Sequence, residues 1–339
     1  MTDPRSNSHH GICIFAEQSS GEIQRVSHEL LTRARKLADT RRTDLSAFVL
    51  GCRIPDPDLL ELIHRGADRV VSMQAPELEH FLVEPYAACL LHLIDEFRPE
   101  VLLAGATTTG RTLMPYVAAK ANAGLTADCT HLDIEPDTGN LLQTRPAIGG
   151  NILATIKTQR HRPQMATVRP RSARPAEKDL SRTGEIIRLD PSPGALASRI
   201  KRTGFVPEEG AHPLQDADIV VSVGRGIKKA ENVPVVEPLA RALNAALGAS
   251  RDVVDRGWLS YPHQVGLSGK TVSPRLYLAL GISGSIQHLA GMQTSDVIVA
   301  VNSDPDAQIF RVADLGIVGD LFQVVPAIVD RLNRREPQQ

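Results

Sequence analysis

Residues Leu276–Gly291, LYLALGISGSIQHLAG, constrain the fold of this chain more than any other stretch. Leu276–Leu280 is a short apolar run that reads as a strand. Gly281, Ser283, Gly284 and Ser285 follow at once, and Ile286–Ala290 reads as one or two helical turns. Gly291 then suits the left-handed position after a helix end. A strand that passes through a glycine-rich turn into a helix start exposes unpaired backbone N–H groups, and the helix dipole adds partial positive charge. A phosphate fits such a spot. His288 lies in the first turns, placed to face whatever the phosphate carries. The turn has no GxGxxG, so on its own it reads equally as an ordinary strand-to-helix turn with a surface histidine.

Strand and helix signals alternate through the first half. Gly11–Phe15, Ser46–Leu50, Arg69–Ser72 and Glu100–Ala104 read as strands, and Val26–Ala38, Asp58–Arg65, Glu84–Phe97 and Arg111–Ala121 as helices. This βαβα pattern predicts a parallel, doubly wound sheet. Thr126–Asp133, Leu141–Thr144, Asn151–Thr158 and Gln164–Val168 are further strands between Gly, Pro and Asn turns, expected to extend the sheet in mixed orientation. Arg160–Arg202 holds eleven Lys/Arg against four Asp/Glu. Its prolines and its lack of an RNA-binding motif favour a solvated connector, with strand Glu185–Leu189, over a nucleic-acid patch. Pro207–Pro213, PEEGAHP, is turn-rich and reads as a hinge.

The second half repeats the pattern. Asp218–Val223 is a strand closed by Gly224-Arg225-Gly226. Glu237–Leu247 reads as a helix with Gly248 past its end. Tyr261–Thr271 is a polar loop. Val297–Val301 is a strand, Ile309–Val318 carries the last strand, and Asp320–Arg331 the last helix. Polar and glycine residues recur where strands end, at Gly224–Gly226, Gly281–Ser285, Asn302–Asp304 and Gly319–Asp320. In a doubly wound sheet those carboxyl ends form the ligand crevice. The fold class is therefore α/β with two doubly wound domains, the C-terminal one Rossmann-like. The boundaries fall at 1–206, a 207–215 hinge, and 216–335.

The 339 residues support two domains. A formal net charge of −1 gives no field favouring nucleic acid or an anionic membrane, and 4% aromatic residues leave few stacking surfaces. Cys13, Cys52, Cys89 and Cys129 are dispersed, without zinc or iron–sulfur spacing, and suit buried thiols in a reducing compartment. Met1–His10 lacks an apolar signal region, and no run reaches the ~18 apolar residues of a membrane span. A cytoplasmic location is expected, with no metal site and no catalytic residue assigned.

The C-terminal half resembles the FAD-binding domain of the electron-transfer flavoprotein α subunit. The matching runs are VGRG (Val223–Gly226), GASR (Gly248–Arg251), HQVGLSGKTV (His263–Val272), LYLALGISGSIQHLAGM (Leu276–Met292), VAVNSDPDAQIF (Val299–Phe310) and ADLGIVGDLFQVVP (Ala313–Pro326). The first half resembles the same family through FAEQ (Phe15–Gln18), LLAGATTTGR (Leu102–Arg111) and RPQMATVRP (Arg162–Pro170). The resemblance implies a bound FAD. His288 resembles the residue near flavin N1 and the C2 carbonyl, where reduction builds negative charge. Arg251 resembles the arginine against the ring near N5; a guanidinium is planar and always charged, so it can stack and polarise together. Ser268 stands where a small hydroxyl residue bonds N5. Gln264, Val265, Gly266 and Leu267 resemble the loop around it, Leu267 by its main chain only, because other members have glutamine there. Ser283, Gly284, Ser285, Ile286 and Gln287 resemble the pyrophosphate cradle. Arg225 and Ser250 resemble contacts nearer the phosphates, and Asn302, Asp320 and Leu321 those toward ribose and adenine. The plainer roles are a helix C-cap for Arg251, a loop serine for Ser268, and capping or turn formation for Asn302 and Asp320.

The resemblance further implies an electron carrier, with the flavin between this C-terminal domain and a β subunit, and the N-terminal domain packing on that subunit. The heterodimer would exchange electrons with a flavoprotein dehydrogenase, such as an acyl-CoA dehydrogenase, and with a ferredoxin, a flavodoxin or a quinone oxidoreductase. The β subunit would hold AMP, or a second FAD reduced by NADH in electron-bifurcating members. Glu17–Asp39 and Tyr261–Val272 resemble members of the anaerobic and nitrogen-fixation-linked branches. Two other classes remain. An NAD-dependent oxidoreductase predicts GxGxxG after the first strand, where Ala16-Glu17-Gln18 stands instead. A nucleotide-binding regulatory module predicts a ligand that dithionite leaves unchanged.

Overall fold

The first strand, β1 (Ile12–Ala16), is buried at all five positions, as a strand must be when helices cover both faces of its sheet. In the computed structural model, which describes residues 9–147, 152–204, 214–215 and 217–334, the chain divides into two compact units, Met1–Gly204 and Phe205–Gln339. The turn-rich segment 207–213 lies outside the described residues.

In the first unit β1 leads through a small hairpin, β2 (Gln18–Ser19) and β3 (Glu22–Ile23), into α1 (Arg25–Arg41). Then come β4 (Leu45–Gly51), α2 (Asp56–His64), β5 (Arg69–Gln74), α3 (Val83–Phe97), β6 (Val101–Gly105) and α4 (Thr108–Lys120). The remaining strands are β7 (Gly124–Cys129), β8 (His131–Ile134), β9 (Leu141–Pro146), β10 (Leu153–Ile156), β11 (Gln164–Val168) and β12 (Glu185–Leu189). Seven strands form one sheet in the order β12-β5-β4-β1-β6-β11-β7. Leu30, Leu31, Ala34 and Leu37 of α1 pack on one face with α2. Leu90 and Leu93 of α3 pack on the other with Leu113 and Val117 of α4.

Two expectations are corrected here. The seven-stranded sheet is parallel at every pair rather than mixed, and the antiparallel strands β8, β9 and β10 form a sheet of their own. The expected single strand Thr126–Asp133 splits because Asp128 takes a left-handed φ of 62° and β7 slips register against β11. Residues after Cys129 thereby leave one sheet for the other. The basic run Arg160–Arg202 holds strands β11 and β12 with an irregular strap between them, and several of its cations make ion pairs: Arg169 with Asp128, Lys178 with Glu61, Arg182 with Asp68, and Arg188 with Asp56. Cys13, Cys89 and Cys129 are buried free thiols. Burial pushes them up to about 12, 11 and 12, which leaves them poor nucleophiles.

The second unit runs β13 (Ile219–Val223), α5 (Glu237–Ala242), β14 (Ala246–Ala249), α6 (Arg251–Asp255), β15 (Leu276–Leu280), α7 (Ile286–Leu289), β16 (Ile298–Asn302), β17 (Leu315–Val318) and α8 (Leu321–Asn333). Its sheet is parallel in the order β14-β13-β15-β16-β17. The chain winds to one side of β13 first and to the other side afterwards. The reversal lies between β13 and β15, and a crevice opens at the carboxyl ends of strands at such a point. The expected helix Glu237–Leu247 is two elements. Asn244 takes φ 47° and ends the helical course, and Ala246–Ala249 becomes the edge strand beside β13. The last strand is likewise shorter than Ile309–Val318, because Gln308–Arg311 forms a 3-10 turn. No described helix is long and apolar enough to cross a membrane.

Candidate functional site

At the switch point two glycine turns cross without side chains between them. A Cβ on Gly224 would stand 2.3 Å from the Gly281 carbonyl oxygen, and one on Gly226 2.6 Å from Gly281 Cα. That contact lets the Gly224 N–H donate to the Leu280 carbonyl at 2.8 Å and the Gly226 N–H to the Gly281 carbonyl at 3.0 Å. Gly284 has φ 86°, and a Cβ there would stand 2.3 Å from Ile309 N. Gly226 and Gly281 line a cleft of about 810 Å³ at the ends of β13, β15 and β16, within the usual range for small-molecule sites.

The N–H groups of Ser283, Gly284, Ser285, Ile286 and Gln287 have no backbone acceptor among the described residues. They make a row of donors suited to an anion. Helix α7 is only four residues long, so its dipole is small, and the donor row rather than the dipole supports phosphate binding. Ser285 caps that turn by accepting from the His288 N–H. Gly291 is not left-handed as expected. It is glycine because a Cβ would stand 2.5 Å from Gly266 Cα. The loop of residues 264–270 thus lies directly on α7, pinned by the Leu267 N–H donating to the Gln287 carbonyl at 2.8 Å.

The cleft brings residues from five stretches together. Arg225, Ser250, Arg251, Val265, Gly266, Leu267 and Ser268 line the cleft, with Ser283, Ser285, Gln287, His288 and Asn302 across it. His288 is 4% exposed. Its Nε2 lies 3.0 Å from the Tyr277 hydroxyl, while Nδ1 has no hydrogen-bond partner among the described residues. Burial lowers its pKa to about 4, and the Val265 backbone opposes this too weakly to reverse it. In the chain alone His288 is a neutral ring, not a cation. Ser268 Oγ accepts from Gln264 Nε2 at 3.1 Å.

Arg251 starts α6 instead of ending a helix, and its Nε lies 3.1 Å from Asp255 Oδ2. Arg225 Nε lies 3.9 Å from Asp252 Oδ2. Both pairs are exposed and weak, so either guanidinium can exchange its aspartate for a ligand anion. Asp252, Asp255 and Asp304 line the cleft, as do Gly226, Gly281, Ile282 and Ala307. Gly226, Gly281, Ile282 and Asp304 fall in the strand-end runs that sequence reasoning placed at the crevice, whereas Asp252, Asp255 and Ala307 were missed. The i,i+4 spacing of Arg251 and Asp255 was the available signal for one of them.

Five expected residues are not among the cleft-lining ones. Gln264 is buried and acts on Ser268 from behind. Gly284 shapes the turn. Ile286 points to solvent, 67% exposed. Asp320 caps α8 by accepting from the Phe322 N–H at 3.0 Å. Leu321 is buried, and its Cδ2 would meet a Cβ on Gly281 at 2.9 Å. Asn302 lines the cleft and also ties it together: Nδ2 donates to the Ile282 carbonyl, and Oδ1 accepts from the Asp304 N–H. The glycine cradle, the donor row and the unpartnered His288 Nδ1 together fit a flavin dinucleotide.

The Electron transfer flavoprotein domain model matches residues 12–193, and the Electron transfer flavoprotein FAD-binding domain model matches residues 213–293. The chain is 46% identical to an electron transfer flavoprotein subunit alpha of Thermoanaerobacterium thermosaccharolyticum, over 97% of this chain and 99% of that one. It is 43% identical to the protein FixB of Azotobacter vinelandii, over 98% and 94%. It is 39% identical to lactate dehydrogenase (NAD(+),ferredoxin) subunit LctC of Acetobacterium woodii, over 96% and 78%. With both units matched and relatives aligned over nearly its full length, the chain belongs to the electron-transfer flavoprotein family, in its α-subunit branch.

Proposed function

We propose that this chain binds one FAD in the cleft and, paired with a β subunit, carries electrons between a flavoprotein dehydrogenase and a downstream acceptor. The observation that carries the reading is convergence: Arg251, Ser268 and His288, distant in sequence, share one cleft above a glycine crossing. FAD would supply the one- and two-electron chemistry that no side chain there has. The N–H groups of Ser283–Gln287 would hold the pyrophosphate, with Arg225 and Ser250 beside it. Ser268 Oγ, held by Gln264, would donate to or accept from a ring nitrogen. Arg251 would lie against the ring and exclude water from it. His288 Nδ1 would meet the pyrimidine end of the ring, and Asn302 would serve the ribose side.

In this reading residues 1–206 pack on the β subunit, 207–215 are a hinge, 216–335 carry the cofactor, and the complex is cytoplasmic. An acyl-CoA dehydrogenase is a fitting dehydrogenase partner. Likeness to the subunit of an NAD(+),ferredoxin-dependent lactate dehydrogenase supports a second reading, in which the β subunit holds a second FAD reduced by NADH and electrons divide toward ferredoxin or flavodoxin. Co-expression with the β subunit in FAD-supplemented buffer tests both. A yellow heterodimer bleached by dithionite is expected, and a colourless one overturns the proposal. Two FAD per heterodimer with reduction by NADH supports the second reading, whereas one FAD plus AMP excludes it.

A further inference from the structure

Ser222, Tyr277 and His288 form a line of polar groups from inside the β13–β15 sheet to the cleft. Val220 pairs with Tyr277 and Ser222 with Ala279, so Ser222 and Tyr277 project from the same face. Both are wholly buried. Tyr277 packs among apolar residues including Val265 and Met292, and its hydroxyl reaches His288 Nε2 at 3.0 Å. Ser222 Oγ lies near enough to Tyr277 to pull its ionisation downward, yet completes no hydrogen bond among the described residues. Gly248 leaves the room beside it: a Cβ there would stand 3.1 Å from that Oγ. The line therefore has two ends without a completed hydrogen bond, Ser222 Oγ in the sheet and the buried His288 Nδ1, on a residue that lines the cleft and whose ring the Val265 backbone approaches closely enough to raise its pKa. A buried polar atom without a partner is costly, so both ends call for an explanation.

Proton counting supplies one. Burial raises the Tyr277 pKa, so Tyr277 stays a phenol with one proton to give. When His288 is neutral, the phenol donates to Nε2, which fixes the ring proton on Nδ1 as a donor. When His288 takes a second proton from solvent, Nε2–H donates to the phenol oxygen instead. The phenol proton must then turn elsewhere, and Ser222 Oγ is the acceptor at hand. We infer that Tyr277 and Ser222 are positioning residues: Tyr277 sets the tautomer of neutral His288, and Ser222 completes the hydrogen bonding of its charged form once a ligand brings negative charge to the cleft. The second half rests on the FAD reading above. The other charged groups lining the cleft are Arg225, Arg251, Asp252, Asp255 and Asp304. Burial, not these charges, sets the resting state of the ring.

Two measurements test this on the complex with its β subunit. First, nitrogen NMR of histidine-labelled protein without FAD reads the tautomer, with His288→Gln identifying the resonances. The expected result is a protonated Nδ1 and a bare Nε2 in the native protein, and a mixture in Tyr277→Phe. An unchanged tautomer in that variant overturns the role of Tyr277. Second, in the FAD-loaded complex the flavin potential is followed against pH. Ser222→Ala removes one atom from the core and is expected to move the break assigned to His288 down by about one pH unit. An unmoved break overturns the role of Ser222. If the native complex binds no FAD, the cofactor reading fails, while the tautomer measurement still decides on Tyr277.

Discussion

Glu17 and His288 are buried groups whose ionisation the fold shifts in opposite directions. The Glu17 carboxyl is 6% exposed, and the Thr107 hydroxyl meets both its oxygens at 2.8 Å. Burial raises its pKa from 4.5 to about 7, with the Thr107 bond pulling back. Between those values the folded unit keeps a proton that the unfolded chain releases, so stability falls as pH rises through the window, by roughly 3 kcal/mol. Glu17→Gln is expected to narrow the difference between urea midpoints at pH 5 and pH 8. His288 runs the other way. Its folded pKa of about 4 lies below the ordinary 6.5, so the second unit loses stability, again by roughly 3 kcal/mol, as pH falls from 6.5 toward 4. His288→Gln should flatten that loss in thermal melts across the range. That His288, Arg251 and Ser268 share a cleft was legible through family-like runs, the longest of them, GISGSIQHLAGM, around His288. Tyr277 was not, because a tyrosine inside an apolar strand reads as core, and its partner lies eleven residues away on another element.

Elements with strong periodicity and a fitting turn residue came through closely. Strand Leu276–Leu280 and strand Gln164–Val168 match residue for residue, and α3 differs from its expectation by one residue. The failures share one cause: local pattern cannot show where a segment finds its hydrogen-bond partners. Ala and Leu in Glu237–Leu247 satisfy helical spacing, yet β13 offers an open edge and takes Ala246–Ala249 as a strand. The cleft glycines carry predictions at this scale. Gly284→Ala forces a Cβ against Ile309 N at a φ that side chains avoid. It should cost about 2 kcal/mol or more and abolish FAD retention on gel filtration. Asp320 caps α8 from off the cleft. Asp320→Ala is expected to cost about 1 kcal/mol of stability while FAD affinity, titrated by fluorescence quenching, stays near native.

At the scale of the whole molecule, the two units carry parallel sheets of different strand order. If the second unit alone holds FAD, the cofactor should stabilise that unit selectively. Calorimetry with FAD at a hundredfold excess over its Kd is expected to raise one unfolding transition by the equivalent of about 2.7 kcal/mol and leave the other in place. The two-unit division was legible from length and from the repeated strand–helix pattern. The separate antiparallel sheet was not, because its strands carry the same alternation as those of the main sheet. The order β12-β5 has one more consequence. Strand β12 comes last in its unit yet closes the edge beside Val70–Met73. A nascent chain leaving the ribosome therefore shows an unfinished, sticky border until residue 189 has emerged.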